Sequence, residues 1–297
     1  MQIHIHPGDQ DPFADENAKI KIIRGIGAQF ARQQRAFTFS LVIFGHFAKF
    51  LRWDRAGCIV SKAFDFKRAP VKLAKFFWGY SQLNAIARGF DPNVVNASER
   101  EADTLQNALR HYIEHCSRDA SHIKPSLVAE PDPDYPAYKV SVDTVEGPEL
   151  KLIIRKPFHT YTLAGGRATR VYAAYSVSDG KIVVLKDHWG SLGLLTTEAE
   201  IYDCLRQHAV PHTPHIFAAG DVRVGNDLQQ TLTQTYSHHR GYIRSRIVQD
   251  VYFPLSTIRS SRELVQVFRD AVKGDLYILL ILQGIETLCP YSHVRRV

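Results

Sequence analysis

Two residues at a short spacing could do chemistry together. Lys186 closes the apolar run Lys181-Ile182-Val183-Val184-Leu185-Lys186, and Glu198 opens Glu198-Ala199-Glu200-Ile201-Tyr202-Asp203-Cys204-Leu205. Alternate residues of a strand share a face, so Lys186 aligns with Ile182 and Val184. In a helix, Ile201, Tyr202 and Leu205 fall on the face of Glu198, which puts that carboxylate at the head of an apolar stripe. An inward carboxylate needs a cation, because an unpaired buried charge is very costly. A lysine held in this way is suited to gripping phosphate. Glu200 stands three residues after Thr197, in capping-box position, and is expected to face solvent as a structural carboxylate. Two independent surface charges would leave the same residues, and that alternative stays open.

A phosphate also needs backbone N–H donors that approach it closely. The matching place is Gly165-Gly166-Arg167-Ala168-Thr169-Arg170-Val171-Tyr172-Ala173, between two predicted strands. Against a Gly-x-Gly-x-x-Gly pattern the register is Gly166, Ala168, Val171, so one glycine of three is present. A simple hairpin turn at Gly165-Gly166 explains the residues nearly as well. Other chemistries have less support. The 14 histidines include the pairs His4/His6, His212/His215 and His238/His239, but none has a cysteine or second ligand pair at metal spacing. No Gly-x-Ser-x-Gly elbow occurs, so a hydrolase triad has no footing. Asp179, Asp187, Asp221 and Asp227 read as turn or strand-end residues, although Asp187 follows the lysine of interest.

The elements that must position the pair can be read from periodicity. Residues 1–16 look like a polar leader, and residues 17–34 a helix carrying Ile20, Ile23, Ile26, Gly27 and Phe30. A β meander follows: Phe37, Phe39, Leu41 and Ile43 alternate, Gly45-His46 turns, Phe47–Trp53 is a second strand, and Cys58–Phe64 a third. Val71–Leu83 is a helix with Phe76, Phe77 and Tyr80 for packing. Ser98 starts a helix to about Cys116, with Glu101 in capping-box position. Residues 124–136 carry four prolines and form the best candidate linker. Beyond them, strands are expected at Tyr138–Val142, Leu150–Arg155, Arg170–Val177, Ile182–Lys186, His215–Val224, Gln230–Tyr236 and Arg244–Tyr252. Helices are expected from Thr197 to about His208 and from Ser261 to about Gln283.

Composition bounds the class. The chain has 297 residues, 45% of them apolar, enough for one large or two modest domains. No run of about 18 apolar residues exists, so no membrane span is expected. Met1-Gln2-Ile3-His4-Ile5-His6-Pro7 lacks the layout of a signal peptide. Cys58, Cys116, Cys204 and Cys289 are far apart, which fits a reducing compartment and predicts an intracellular protein of cytoplasm or nucleus. The net charge of +7 is uneven: residues 1–100 hold 15 Lys and Arg against 8 Asp and Glu. That excess could face nucleic acid or simply be a solvated surface. No base-reading motif accompanies it, so nucleic acid is not the expected partner.

One resemblance is specific. It rests on Gln29-Phe30-Ala31-Arg32-Gln33-Gln34-Arg35-Ala36-Phe37-Thr38-Phe39, on the stretch from Ile43 to Gly57 with Arg52-Trp53-Asp54-Arg55, and on Gly89-Phe90-Asp91-Pro92. It continues through Val183–Trp189 with Leu185-Lys186-Asp187, Glu198–Tyr202, Val210–Ile216 and Ser260–Val265. Over roughly residues 10–273 the chain resembles the fungal-type protein kinase family. The resemblance implies an α+β fold in four parts. Residues 1–123 are an N-terminal α/β extension and 124–136 the linker. Residues 137–260 are a kinase-like small lobe and hinge, with a twisted antiparallel sheet and one αC-like helix. Residues 261–297 start a large-lobe helix with a divergent tail, the large lobe being mostly absent.

It also implies ATP and magnesium as cofactors and phosphoryl transfer to protein Ser/Thr. Gly166 and Thr169 would lie in the phosphate loop, Lys186 would hold phosphates, and Glu198 would hold Lys186. Gln249, Asp250 and Val251 would lie in the hinge beside the adenine.

Departures from the family pattern temper this. Ala168 and Val171 place side chains where the backbone should approach phosphate. The catalytic and metal-holding stretches, His-Arg-Asp and Asp-Phe-Gly, do not occur. The resemblance stops at Lys273, and the chain reads as C-terminally incomplete. No catalytic residue or metal ligand is therefore assigned, binding of ATP with magnesium is expected to be weak or absent, and the chain alone is expected not to transfer phosphate. The rival readings are a partner-binding pseudokinase fragment and non-specific nucleic-acid binding through residues 1–100. Leu276–Leu282 is nearly all apolar and predicts an exposed patch around Tyr277 and Leu280, with self-association.

Overall fold

The computed structural model describes residues 1–116, 119–126, 134–143, 149–193 and 196–285. Its first sheet starts inside the expected leader. β1 (Gln2–His6) runs parallel to β2 (Thr38–Phe44), and α1 (Glu16–Arg32) crosses between them. The strand has little apolar signature because Ile3 and Ile5 point outward and the histidines inward. α1 is capped by the Asp15 carboxylate and buries Ile22, Ile26 and Phe30 against Val42, Phe44, Leu51 and Trp53.

β3 (Phe47–Asp54) and β4 (Gly57–Val60) complete the meander, and β5 (Phe64–Asp65) pairs back onto β3. The expected third strand breaks after Val60, where the Ser61 hydroxyl accepts the Phe50 amide at 3.0 Å in place of a backbone partner. α2 (Pro70–Gln82) begins on its proline and has no buried residue. It is held by aromatic contact, with Phe76 stacked on Phe50 at 4.2 Å.

The second sheet carries the site. Its elements in chain order are β6 (Val94–Asn96), α3 (Glu99–His115), a 3-10 turn at Ser121–Ser126, β7 (Tyr138–Val142), β8 (Leu150–Ile154), β9 (His159–Thr160), β10 (Arg170–Ser176), β11 (Lys181–Ser191) and α4 (Glu198–Gln207). There follow β12 (Ile216–Asp221), the ribbon β13 (Arg223–Val224) and β14 (Asp227–Leu228), β15 (Tyr242–Gln249) and α5 (Ser261–Ile285). The strand order is β12-β15-β11-β10-β8-β7-β6, every pairing is antiparallel, and β9 pairs with the start of β10. The proline-rich stretch does not separate the two layers, because β6 and α3 precede it and belong to the second. The strand expected at Gln230–Tyr236 is corrected to a single bridge at Gln230 and a 3-10 turn at Thr233–Tyr236. The cause is long-range: Asp54 accepts the Leu232 and Thr233 amides at 2.8 and 3.0 Å and bends the chain there.

Alternation along β11 divides the work. Val183 and Leu185 enter a core with Val140, Leu152, Tyr172 and Val248. Ile182 turns to the opposite side and packs with Ile153, Ala173, and Leu105 and Leu109 of α3. Asp187 belongs to the first side and is no turn residue. It accepts Arg244 Nε and Nη2 at 2.8 and 2.5 Å and Arg170 Nη2 at 3.2 Å. Arg244 also reaches Asp91 at 2.9 Å and Gln34 at 3.3 Å, and Arg246 pairs with Asp91. All these side chains are buried. Burial opposes ionisation of Asp187, but the Arg244 and Arg170 guanidiniums override it and hold its carboxyl far below the usual range. Gln34 and Asp91 precede the proline-rich stretch, so the network fastens the N-terminal layer to the second sheet.

The basic excess of residues 1–100 is partly used in the same way. Arg55 is buried and donates to the Leu163 and Ala164 carbonyls at 2.8 and 3.2 Å. Arg52 pairs with Asp54, Lys49 with Asp11, and Arg35 lies over the Phe90 ring.

α5 is the least covered element. Val265, Phe268, Val272 and Leu276 are 66%, 58%, 54% and 54% exposed. At helical spacing they form one apolar stripe. Tyr277 is also exposed, and the side chain of Leu280 lies outside the described residues, as does Cys289. Among the described residues no helix is long and apolar enough to cross a membrane.

Candidate functional site

β11 is longer than its apolar run suggests. Pairing with β10 fixes its middle and pairing with β15 carries it on to Ser191. Lys186 lies between Val171 of β10 and Ile247 of β15. Its ammonium donates to both oxygens of Glu198, at 2.6 and 2.8 Å. The two side chains are 29% and 26% exposed, so the pair is shielded yet open to a ligand.

α4 delivers Glu198 from its first turn. The Thr197 hydroxyl accepts the Glu200 amide and the Glu200 carboxylate accepts the Thr197 amide, completing the capping box. Glu200 thereby stays exposed and local, while Glu198 turns inward. The apolar stripe behind Glu198 is only partly covered: Tyr202 and Leu205 are half-buried, but Ile201 is exposed and α4 has no buried residue.

A third group was hidden from the sequence reading. His188 shares the Lys186 face, is buried, and places Nε2 3.4 Å from Glu198. Burial and the adjacent Lys186 charge push its pKa down, and its Nδ1 has no hydrogen-bond partner among the described residues. The missed signal was alternation itself. Continuing Ile182, Val184, Lys186 by two residues reaches His188, but Asp187 looked like a strand end.

The glycine loop is placed differently from a free phosphate cradle. The Gly166 amide donates to the Arg55 carbonyl at 2.9 Å, so this donor is taken. Arg55 holds the two preceding carbonyls, Ala164 packs into the core of α1, and a Cβ at Gly27 of α1 would collide with the Thr162 carbonyl. The loop is thus docked on the N-terminal layer. It is no tight turn at Gly165-Gly166 either, because β9 and β10 pair at Thr160 and Arg170 and leave residues 161–169 as the connection between them. Ala168 has φ +43° and is buried beside Ala36 and Trp189, a backbone position that glycine would occupy without strain. Thr169 is half-buried, directly before β10.

The remaining predicted residues lie at and just beyond the end of β15. Gln249 pairs with Val184, Asp250 lies 3.4 Å from His215 and 3.8 Å from Lys181, and Val251 packs against the α3 core. The structure therefore brings Lys186 and Glu198 into contact, places Gln249 beside Val184, two residues from Lys186 on the same face, and draws Gly166 onto the N-terminal layer.

The arrangement fits a phosphate-holding cation. Among the described residues there is no group of three or more His, Cys, Asp or Glu that could hold a metal ion.

Neither a curated protein nor a solved structure matches the chain. A family model described as fungal protein kinase matches residues 10–243, which includes the glycine loop, Lys186 and Glu198 and ends before Gln249–Val251. A strand lysine paired with a helix glutamate is the arrangement by which kinases hold nucleotide phosphates, and with the match spanning most of its length the chain belongs to the fungal protein kinase family.

Proposed function

We propose that Lys186, oriented by Glu198, holds the phosphates of ATP within a kinase-like small lobe formed by β8, β10, β11, β15, β12 and α4. The observation that carries this is the two-point contact of 2.6 and 2.8 Å between a strand lysine and a helix carboxylate that remain partly open. The family supports phosphoryl transfer to protein Ser/Thr as the lineage activity. These 297 residues contain no His-Arg-Asp and no Asp-Phe-Gly stretch. Transfer depends on metal, lysine and catalytic aspartate acting together, so we infer that the chain binds nucleotide weakly and does not transfer phosphate by itself. Three unpaired cysteines, Cys58, Cys116 and Cys204, favour a reducing, intracellular setting.

Thermal shift with ATP tests the reading. A ligand at a hundred times its dissociation constant stabilises by about 2.7 kcal/mol. A small upward shift is expected at millimolar ATP and none in Lys186→Met. A shift that survives in Lys186→Met contradicts the assignment.

The exposed α5 stripe favours a second reading, in which the chain works without catalysis through a partner. A second copy of this chain is the simplest occupant, since like apolar stripes can cover one another. Sedimentation of wild type and Phe268→Glu decides it: a dimer lost in the variant supports the reading, and a monomeric wild type removes it.

A further inference from the structure

The face that carries Lys186 is not open along its whole length. Register places Val171 beside Lys186, Ala173 beside Val184, and Val184 beside Gln249. A nucleotide with its phosphates at Lys186 and its base at Gln249–Val251 must therefore lie across Val184 and Ala173. These two are 6% and 1% exposed. Ala173 is covered from the N-terminal half of the chain. Leu105 and Leu109 of α3, with Ala120 and Ile123 of the following turn, pack on Ala173, Ile182 and Ile153. Val251 and Phe253, beside the expected base position, pack into the same cluster. At the far end of α3, burial and the neighbouring Cys116 and Asp250 push the Tyr112 hydroxyl up to about 12, as expected where the helix lies against that segment.

We propose that α3 and the Ser121–Ser126 turn are a built-in plug of the base half of the nucleotide site. The plug leaves the Lys186–Glu198 end accessible to phosphate and excludes the base. Full nucleotide binding then requires α3 to leave the sheet. The hold on α3 is limited: its fully buried residues are Leu105 and Leu109, and its first turn is tied by Glu101 to Lys139 of β7 at 2.7 Å. When the competent state is a minor fraction, apparent affinity falls by that fraction, and loosening the plug restores it. This rests on the reading of Lys186 as a phosphate-holding lysine.

The test is a titration of ATP and of inorganic tripolyphosphate into the full chain. Wild type is expected to bind the two equally, because the base adds nothing. The double variant Leu105→Ala/Leu109→Ala should bind ATP about tenfold more tightly while its tripolyphosphate affinity stays unchanged. If that variant does not fold, Lys139→Ala keeps the core intact and should give a smaller gain for ATP alone. Hydrogen exchange in wild type adds an independent measure: residues 99–115 should exchange faster at saturating ATP. Wild type that prefers ATP about tenfold over tripolyphosphate, or α3 amides that slow on ATP addition, overturns the plug and leaves Lys186 in place. Binding of both ligands that is unchanged in Lys186→Met overturns the phosphate reading itself, and the plug with it.

Discussion

Lys186 and Asp187 are neighbours in the chain and opposites in their surroundings. Lys186 meets one carboxylate in a pair still partly open to solvent, whereas Asp187 is buried between Arg170 and Arg244 on the other face. The side that faces the N-terminal layer is a fastening, in which Asp187 and Asp91 pair with Arg170, Arg244 and Arg246 inside the protein. The side that carries Lys186 and His188 has charge in reserve. His188 keeps a buried nitrogen without a hydrogen-bond partner among the described residues, and the Lys186–Glu198 pair is only partly shielded. One strand thus presents a stabilising face and the face proposed to hold phosphate, and strand alternation alone separates them.

The comparison breaks most readily at Asp187. Asp187→Ala would leave the buried Arg170 without its carboxylate and Arg244 and Arg246 with Asp91 alone; breaking such a buried network costs about 3–5 kcal/mol and should show as a large drop in the urea midpoint. The native carboxyls of Asp187 and Asp91 both sit below their ordinary range. Their contribution is therefore fully present above the unfolded carboxylate value of about 4 and is lost as pH falls through the lower folded values. Urea midpoints measured on acidification should fall across that window in wild type.

The ligand face should give smaller and differently shaped effects. The folded pKa of His188 is depressed, so its contribution is present above the ordinary histidine value of about 6.5 and declines as pH falls below it. His188→Asn should flatten that part of the stability profile, and an unchanged slope would mean that His188 does not titrate there. Lys186→Met should cost the least, about 1 kcal/mol or less, as expected for a partly exposed ion pair. A loss as large as that of Asp187→Ala would show that both faces are structural.

Local patterns were legible in the sequence. The capping boxes at Ser98/Glu101 and Thr197/Glu200 and the helix face of Glu198 follow from spacings of three and four residues, and the meander from alternation. The pairing of Lys186 with Glu198 was expected because an inward carboxylate demands a cation. What escaped were contacts between distant segments. Nothing near Thr233 announces that Asp54 will cap it, nothing near Gly166 announces Arg55, and the inward histidines of β1 give no apolar alternation. The covering of Ala173 by α3 was equally hidden, because the proline-rich stretch suggested a boundary between residues that share one layer.

The most direct test of the division of labour along β11 is calorimetric titration of tripolyphosphate into wild type and Lys186→Met, with the stability of each measured in the same buffer. The account predicts that Lys186→Met loses about 1 kcal/mol of stability or less and loses tripolyphosphate binding. Equal affinity in the two proteins, with either stability outcome, would contradict it.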